Sequence, residues 1–221
     1  MEAQKHECIG IVALASVLII LSTAAIASSQ DGRLAEATTV YRDPGGRRIA
    51  VLRTDFSADP FAPSYEFEDL RTGEAEAVRV AAGEIALRAG ERSRTLGRDP
   101  AGPRLVTGQG LDRLVRERLP ELAAGETLRL AYAIPSRLGA YDLRVRSVGD
   151  PDGETVRVRV EFSSWVLRLL APALDVEYDR ATARLIRYRG VSNLEDASGA
   201  NPEVEITYAY PQEREDPRGT S

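Results

Sequence analysis

Five arginines on three neighbouring predicted strands form the most conspicuous candidate binding set in the sequence. On two of these strands the arginines alternate with aliphatic residues, so they are expected to share one face of a sheet. Guanidinium groups bind phosphates and carboxylates, which makes the set a candidate site for phosphate, a lipid head group or an acidic glycan. The five residues are Arg129, Arg144, Arg146, Arg157 and Arg159.

A second interpretation of the same arginines is a solvated sheet face that needs no ligand. Pairing of the two strands is expected to place Arg146 opposite Arg157 and Arg144 opposite Arg159. Like charges directly opposite each other destabilise a sheet unless something neutralises them. Four acidic residues could do so: Asp142, Glu161, Asp175 and Glu177.

The segment Ser163–Pro172 is the densest apolar stretch outside the N-terminus and contains the only tryptophan. We expect Trp165 and Leu167 to continue the inward face of the strand Thr155–Phe162, with a bulge near Ser163 that directs the tryptophan to a barrel rim. These two residues are therefore candidate ligand contacts. The segment could line a cavity or touch a membrane, or it could be a core strand or an apolar turn.

Most catalytic chemistry is excluded by residues that the chain lacks. The only Lys, His and Cys are Lys5, His6 and Cys8, all at the N-terminus. The remaining chain therefore cannot form a Ser-His-Asp or Cys-His arrangement, a Schiff-base lysine or a typical transition-metal site. Paired carboxylates such as Glu66 and Glu68 could in principle cleave a glycoside, but alternation along one strand is too common to be specific. We expect no catalytic set, no metal and no cofactor, and the net charge of −5 argues against binding nucleic acid.

The N-terminus is typical of a secretory signal peptide. Residues 9–21 form an uncharged apolar run, and Ala25-Ile26-Ala27 fits a cleavage site. We predict cleavage after Ala27 and export to the periplasm or beyond. A retained segment, residues 9–27, would alternatively anchor the protein in the inner membrane. Membrane contact is expected only in that second case.

The elements that position these residues are mostly strands, because apolar residues recur with a period close to two. One helix is predicted at Leu111–Leu122, and Gly90–Gly110 is predicted to be a long loop. The fold class is mainly β: a single antiparallel, strongly curved sheet or partly closed barrel with one covering α-helix. We expect one β-rich domain over residues 28–211 and a disordered tail over 212–221. The predicted strands are 37–41, 48–56, 65–70, 75–80, 85–89, 127–134, 140–148, 155–162, 174–178, 184–189 and 203–208.

A turn over Asp179–Ala183 sets the expected register of one strand pair. It predicts that Val176 lies opposite Ile186 on the inner face and that Asp175 lies opposite Arg187 on the outer face.

Several short motifs carry a resemblance to known proteins. Together they resemble a group of uncharacterised exported proteins of Gram-negative bacteria, over most of residues 35–210. The resemblance implies export and a single domain, and it assigns no catalytic residue. The motifs are Asp43-Pro44-Gly45-Gly46-Arg47, Asp55-Phe56-Ser57, Glu68-Asp69-Leu70-Arg71-Thr72-Gly73, Pro135-Ser136-Arg137-Leu138, Ser164-Trp165, Tyr178-Asp179-Arg180-Ala181-Thr182 and Tyr188-Arg189-Gly190-Val191-Ser192-Asn193.

These observations favour a non-enzymatic periplasmic protein that binds or carries an apolar or amphiphilic ligand, such as a lipid, inside a concave sheet. One alternative is a structural or interaction module of the cell envelope. A less favoured alternative is a carboxylate-dependent hydrolase. An open apolar cavity would support the carrier, two carboxyls facing a cleft would support the hydrolase, and a fully packed core would support the module.

Overall fold

A computed structural model describes most of the chain. The predicted cleavage site at Ala27 and the predicted tail at 212–221 lie outside the described residues. Side chains are described from residue 35 onwards, except that of Leu170. The described residues are 5–13, 18–26, 28–30, 33–99, 101–196 and 198–210.

Sixteen strands account for most of the described chain. Eleven of them coincide with the predicted strands to within a few residues. The strands are β1 (Lys5–Ala13), β2 (Leu18–Ile26), β3 (Ser28–Gln30), β4 (Arg33–Arg42), β5 (Arg48–Asp55), β6 (Ser64–Asp69), β7 (Ala75–Ala81), β8 (Glu84–Ala89), β9 (Arg92–Gly97), β10 (Arg104–Thr107), β11 (Thr127–Ile134), β12 (Gly139–Val148), β13 (Thr155–Phe162), β14 (Leu174–Asp179), β15 (Leu185–Val191) and β16 (Glu203–Ala209).

The strands form two sheets instead of the single predicted sheet. One sheet has the order β10-β11-β12-β13-β14-β15-β16, and the other has the order β4-β5-β6-β7-β8-β9, with β3 beside β4. The hairpin of β1 and β2 lies between β16 and β4 and joins the sheets edge to edge. Neighbours are antiparallel except β10 and β11. The predicted mainly antiparallel β fold is confirmed, whereas the hydrogen-bonded order ends at β9 and β10, so the described strands form no closed barrel.

The core consists of three apolar clusters, of which the second and third join the inner faces of the two sheets. The first lies between the helices and β11–β14, and the second joins β4–β6 to β15, β16 and Leu194. The third joins β7 and β8 to β10 and β11. Alternating apolar residues on each strand supply these clusters, as the period of two predicts. Among the described side chains, the interior is therefore packed by these clusters.

The predicted helix at Leu111–Leu122 is two helices, α1 (Gly110–Glu117) and α2 (Leu119–Ala123). Proline near the start of a helix is tolerated, but it cannot continue a helix from the preceding turn. A new helix therefore begins at Leu119 after the break at Arg118, with Pro120 in its first turn. A third helix, α3 (Trp165–Leu170), was not predicted, so the prediction of one covering helix is wrong. The apolar residues of α1 and α2 are buried as predicted: Leu114, Val115, Leu119 and Leu122.

The predicted loop at Gly90–Gly110 is wrong, because it contains β9 and β10. Almost every residue of β9 is exposed. This edge strand buries no alternating apolar residues, so periodicity cannot reveal it. The strand β10 is short, and its three final residues are buried beside β11.

The registers of two strand pairs differ from the prediction by two residues. On β12 and β13, Arg146 lies opposite Arg159 and Arg144 lies opposite Glu161. On β14 and β15, Val176 lies opposite Tyr188 and Asp175 lies opposite Arg189, and a bulge at Ile186 of β15 contributes one residue of this shift. A shift by two residues keeps each side chain on its predicted face. Val176 is accordingly buried.

The segment predicted as a signal peptide contains the strands β1 and β2. Export and cleavage concern processing of the chain and stay predictions. No helix among the described residues has both the length and the apolar character needed to cross a membrane.

The turn between β14 and β15 holds Ala183 at a φ of 53°. A left-handed conformation costs a residue with a Cβ about 1–2 kcal/mol, and glycine adopts it freely. We expect Ala183→Gly to raise the free energy of unfolding by about 0.5–1 kcal/mol after the entropy of the unfolded glycine is subtracted. Urea denaturation measures the change. The matched control, Ala181→Gly in the same turn, should lower stability; a loss in both variants would contradict the expectation.

Candidate functional site

Three large apolar side chains of α3 face solvent. Trp165 is 67% exposed, Val166 is 45% exposed and Leu169 is 75% exposed. We call this set the α3 surface. The expected continuation of β13 with an inward Trp165 is wrong, because the strand ends at Phe162 and the chain turns into a helix. Contiguous exposed apolar residues commonly mark sites that bind a partner or a membrane.

The helix α3 is fixed to the sheet by its polar residue. Arg168 donates from Nη1 to the carbonyl oxygens of Phe162 (3.0 Å) and Ser163 (2.9 Å). The backbone N–H of Ser163 donates to the carbonyl oxygen of Asp142 at 2.8 Å. Leu167 is only partly exposed. The guanidinium of Arg168 therefore anchors α3 to the end of β13, while the apolar side chains of the α3 surface point to solvent.

A basic cluster lies at the same end of the sheet. Arg92 and Arg94 of β9 reach the carbonyl oxygens of Ser136 (3.1 Å) and Leu138 (3.5 Å), on either side of the exposed Arg137. None of these three arginines forms an ion pair within the part of the chain that the structure describes. Arg137 precedes Asp142, which holds the start of α3, by five residues. That chain length spans at most about 17 Å.

The five candidate arginines lie on the outer face of β11–β13, where acidic residues neutralise most of them. Glu161 accepts from Arg144 Nε at 2.9 Å and from Arg146 Nε at 3.1 Å. Asp175 accepts two hydrogen bonds from Arg159, both at 2.8 Å. Two of the acidic residues named from the sequence therefore pair with these arginines. The geometry supports a neutralised sheet face.

Arg129 and Arg157 complete the candidate set and are exposed. Arg157 lies opposite Glu177 in the register of β13 and β14. Glu177 in turn lies 3.9 Å from Arg187. Charges of opposite sign therefore alternate from β13 to β15, which stabilises adjacent strands.

Two clefts lie on this charged face and neither is apolar. Their volumes are about 310 and 130 Å³. Asp175 and Arg189 line both clefts. The apolar cavity that a carrier of the predicted kind requires is not among them. The larger cleft is lined by Arg159, Ala173, Asp175, Arg189, Gly190 and Glu203.

The carboxylates named from the sequence for hydrolysis, Glu66 and Glu68, line neither cleft, and the carboxylates that do line the clefts are accompanied by arginines. Glu66 and Glu68 are both exposed on the outer face of β6, and Glu66 pairs with Arg79 at 3.1 Å. The described residues contain no cluster of three or more potential metal ligands. The interior hydroxyls are poor acids, since burial raises the pKa of Tyr132 to about 12, with a further contribution from Glu76.

The ion pairs of the arginine face should make folding sensitive to acid. Burial disfavours the charged form of Glu161, but its hydrogen bonds and the charges of Arg146 and Arg144 outweigh burial and hold its pKa below the usual range. The hydrogen bonds from Arg159 similarly lower the pKa of Asp175. Carboxyls with depressed folded pKa values stabilise the protein above their unfolded values, about 4, and this contribution is lost as pH falls through the folded values.

We therefore expect Glu161→Gln to lower the free energy of unfolding by about 1 kcal/mol at pH 7. The loss should shrink as the pH falls through the lowered pKa of Glu161, because the wild-type carboxyl then becomes protonated. Urea denaturation over a series of decreasing pH values measures the difference. Glu68→Gln is the matched control, since Glu68 is exposed and lacks an ion pair in the described chain. A loss for Glu161→Gln that is independent of pH would show that its charge is not the cause.

The sequence analysis identified neither the basic cluster nor the exposure of the α3 surface. A helix signal was present: Ser164 immediately precedes α3 and Pro172 follows it, and these residues commonly flank helices. No local sequence pattern indicates the basic cluster, because Arg92 and Arg94 hydrogen-bond to a turn that lies 44 residues away in the chain.

Comparisons with known proteins assign no activity to this arrangement. No protein-family model matches the chain, and no curated protein matches it. Among solved structures, the chain is similar to a beta-barrel-like protein of a domain of unknown function, DUF1849, from Brucella abortus. The identity is 7%, the TM-score is 0.40, and the similarity covers 93% of this chain and 97% of that one. That protein is itself uncharacterised and comes from a Gram-negative bacterium, and the similarity is too distant to transfer a role.

Proposed function

We propose that the protein is an exported, non-enzymatic module of the cell envelope that binds anionic lipid surfaces through the α3 surface. The observation that carries the proposal is the exposure of Trp165, Val166 and Leu169 on a helix held in place by Arg168. Export rests on the signal-like N-terminus and on the resemblance to exported proteins. The filled interior favours binding at a surface over carriage inside a cavity.

The chemistry of the α3 surface suits the boundary between water and lipid. Tryptophan is enriched at that boundary because its ring is largely apolar while its N–H can hydrogen-bond. Val166 and Leu169 add aliphatic surface beside it. A surface that buries apolar side chains only to head-group depth needs no membrane-spanning segment. The proposed contact is therefore independent of residues 9–27, unlike the contact expected from the sequence.

The basic cluster indicates which lipids would bind. Arg92, Arg94 and Arg137 lie at the same end of the sheet as α3 and have no acidic partner in the described chain. A cationic side chain near an anionic membrane contributes about 1 kcal/mol, and salt screens the attraction. Anionic lipids should therefore bind more tightly than zwitterionic ones.

Fluorescence of the only tryptophan tests the proposal. Vesicles of phosphatidylcholine with phosphatidylglycerol should shift the emission of Trp165 to shorter wavelength and saturate, because the ring leaves water. Leu169→Asp should abolish the shift. The matched control is Leu70→Asp, an exposed apolar position in the turn after β6, which should bind like the wild type. An emission that these anionic vesicles leave unchanged would contradict the proposal.

The basic cluster is tested separately. Neutralising two arginines with Arg92→Gln and Arg94→Gln should weaken binding to anionic vesicles about 10- to 30-fold, at about 1 kcal/mol for each charge. High salt should reduce the difference. Arg53→Gln, an exposed arginine on β5, is the control for net charge. Equal losses in the control would mean that the protein responds to total charge and not to this cluster.

A further inference from the structure

The hairpin of β1 and β2 fills a gap between the edges of the two sheets. The strand β1 pairs antiparallel with β16, from Ile9 opposite Ala209 to Ala13 opposite Glu205. The strand β2 pairs antiparallel with Val40–Arg42 of β4. The edges of β16 and β4 are therefore separated by two intervening strands. At about 4.8 Å between neighbouring strands, the distance from β16 to β4 is about 14 Å.

Contacts outside the hairpin fix the position of the β15–β16 connection relative to β4–β6. Leu194, in the connection between β15 and β16, is buried in the cluster that β16 shares with β4–β6. Asn193 Nδ2 donates to the hydroxyl of Tyr41 on β4 at 3.1 Å. Arg71 Nη2 donates to the carbonyl oxygen of Glu195 at 2.8 Å. Direct pairing of β16 with β4 would have to break these contacts, so the gap should persist when the hairpin is absent.

We propose that this gap is a peptide-binding slot in the mature protein. The inference rests on the proposed export, since cleavage after Ala27 would remove β1 and β2. An unpaired strand edge presents rows of N–H and C=O groups that another extended chain can pair with. The slot takes an extended segment of a partner polypeptide, paired antiparallel to β16 as β1 is paired in the full chain.

The alternating environments along β16 also determine which kinds of side chain the partner segment carries. Val204 and Ile206 of β16 are buried, whereas Glu205 between them and Thr207 after them are exposed. A strand paired beside them alternates between the same two environments. The partner segment therefore carries apolar residues at every second position. A second copy of this chain is too wide, because a whole sheet cannot enter a space of two strands.

The test uses mature protein purified from its own envelope, with its N-terminus determined by intact mass. The probe is a labelled synthetic peptide of residues 5–13 with Cys8→Ser. We expect saturable binding by fluorescence anisotropy, together with slower amide hydrogen exchange in Glu203–Ala209. Leu169→Asp protein should bind the peptide like the wild type, because the slot and the α3 surface are different sites.

Backbone methylation of the peptide shows whether binding uses the strand edge. In an antiparallel pair only alternate residues donate to a given neighbour. One peptide is N-methylated at Ile9 and Ile11 and another at Gly10 and Val12, with all side chains unchanged. One of the two should bind at least tenfold more weakly than the parent. Unchanged affinity for both would overturn the proposal.

The remaining outcomes separate this inference from the proposed function. If the measured mass still includes residues 1–27, the hairpin fills the slot, and both the inference and the predicted cleavage are overturned. Vesicle binding would still be tested independently by the emission of Trp165. A cleaved protein that binds no peptide would overturn the inference alone. A cleaved protein that binds the peptide but no vesicles would overturn the proposed lipid contact alone.

Discussion

Gly110→Ala is expected to lower the free energy of unfolding by about 3 kcal/mol, because the added methyl group has no room. A Cβ at this position would overlap the backbone carbonyl of Phe61 and lie 2.7 Å from Cδ of Pro63. Backbone atoms cannot move aside as the end of a flexible side chain can. Phe61 is also fixed, since its carbonyl oxygen accepts from the N–H of Thr107 at 3.2 Å. The start of α1 would have to lift from the sheet.

Gly97→Ala is the matched control for this substitution. Its Cβ would meet no heavy atom within 4 Å, and its φ lies outside the left-handed region. Alanine in a strand loses less backbone entropy on folding than glycine, so stability should rise by about 0.5–1 kcal/mol. Urea denaturation of both variants measures the difference. Similar stabilities for the two would mean that α1 does not approach Phe61 as closely as described.

Strand positions were predictable wherever one face is buried. On β13, Val156, Val158 and Val160 are buried while the arginines between them are not, and this alternation is plain in the sequence. The same logic assigned Val176 to the interior and Asp175 to the surface. Edge strand β9 has no buried face, so it gave no alternation. Its existence depends on pairing with β8, which the local sequence does not encode.

Registers were not predictable, because loops and bulges set them. The turn after Asp179 was placed correctly, but the pairs on β15 moved by two residues, one of which comes from the bulge at Ile186. The arginine face changed accordingly. The expected oppositions of Arg144 with Arg159 and of Arg146 with Arg157 became Arg144 opposite Glu161, an ion pair, and Arg146 opposite Arg159. Glu161 and Asp175 pair with three of the five candidate arginines, an arrangement that depends on the register and that composition alone cannot reveal.

The sequence shows that the residues of the α3 surface are apolar, but it does not show that they are exposed. The apolar density of Ser163–Pro172 is evident in the sequence, and such segments are usually buried. Here Arg168 occupies the carbonyl oxygens of Phe162 and Ser163, which turns the apolar side chains outward. Exposure is a property of the whole fold, and the candidate site depends on it.

Leu122→Ala and Leu169→Ala should separate stability from binding. Leu122 is fully buried in the cluster beneath α2, whereas Leu169 is 75% exposed. Truncation of a buried leucine costs about 2–5 kcal/mol, and a substitution at an exposed site usually changes stability by less than about 0.5 kcal/mol. We expect a loss of about 3 kcal/mol for Leu122→Ala. Leu169→Ala should keep the wild-type stability and lose affinity for anionic vesicles.

The measurements are urea denaturation and the vesicle titration of Trp165 emission, applied to both variants. Leu122→Ala should retain wild-type vesicle affinity while it stays folded, because its side chain does not reach the α3 surface. A large destabilisation by Leu169→Ala would place Leu169 in the core of the folded protein. The α3 surface would then be part of the packing, and the proposed contact with lipid would lose the observation on which it stands.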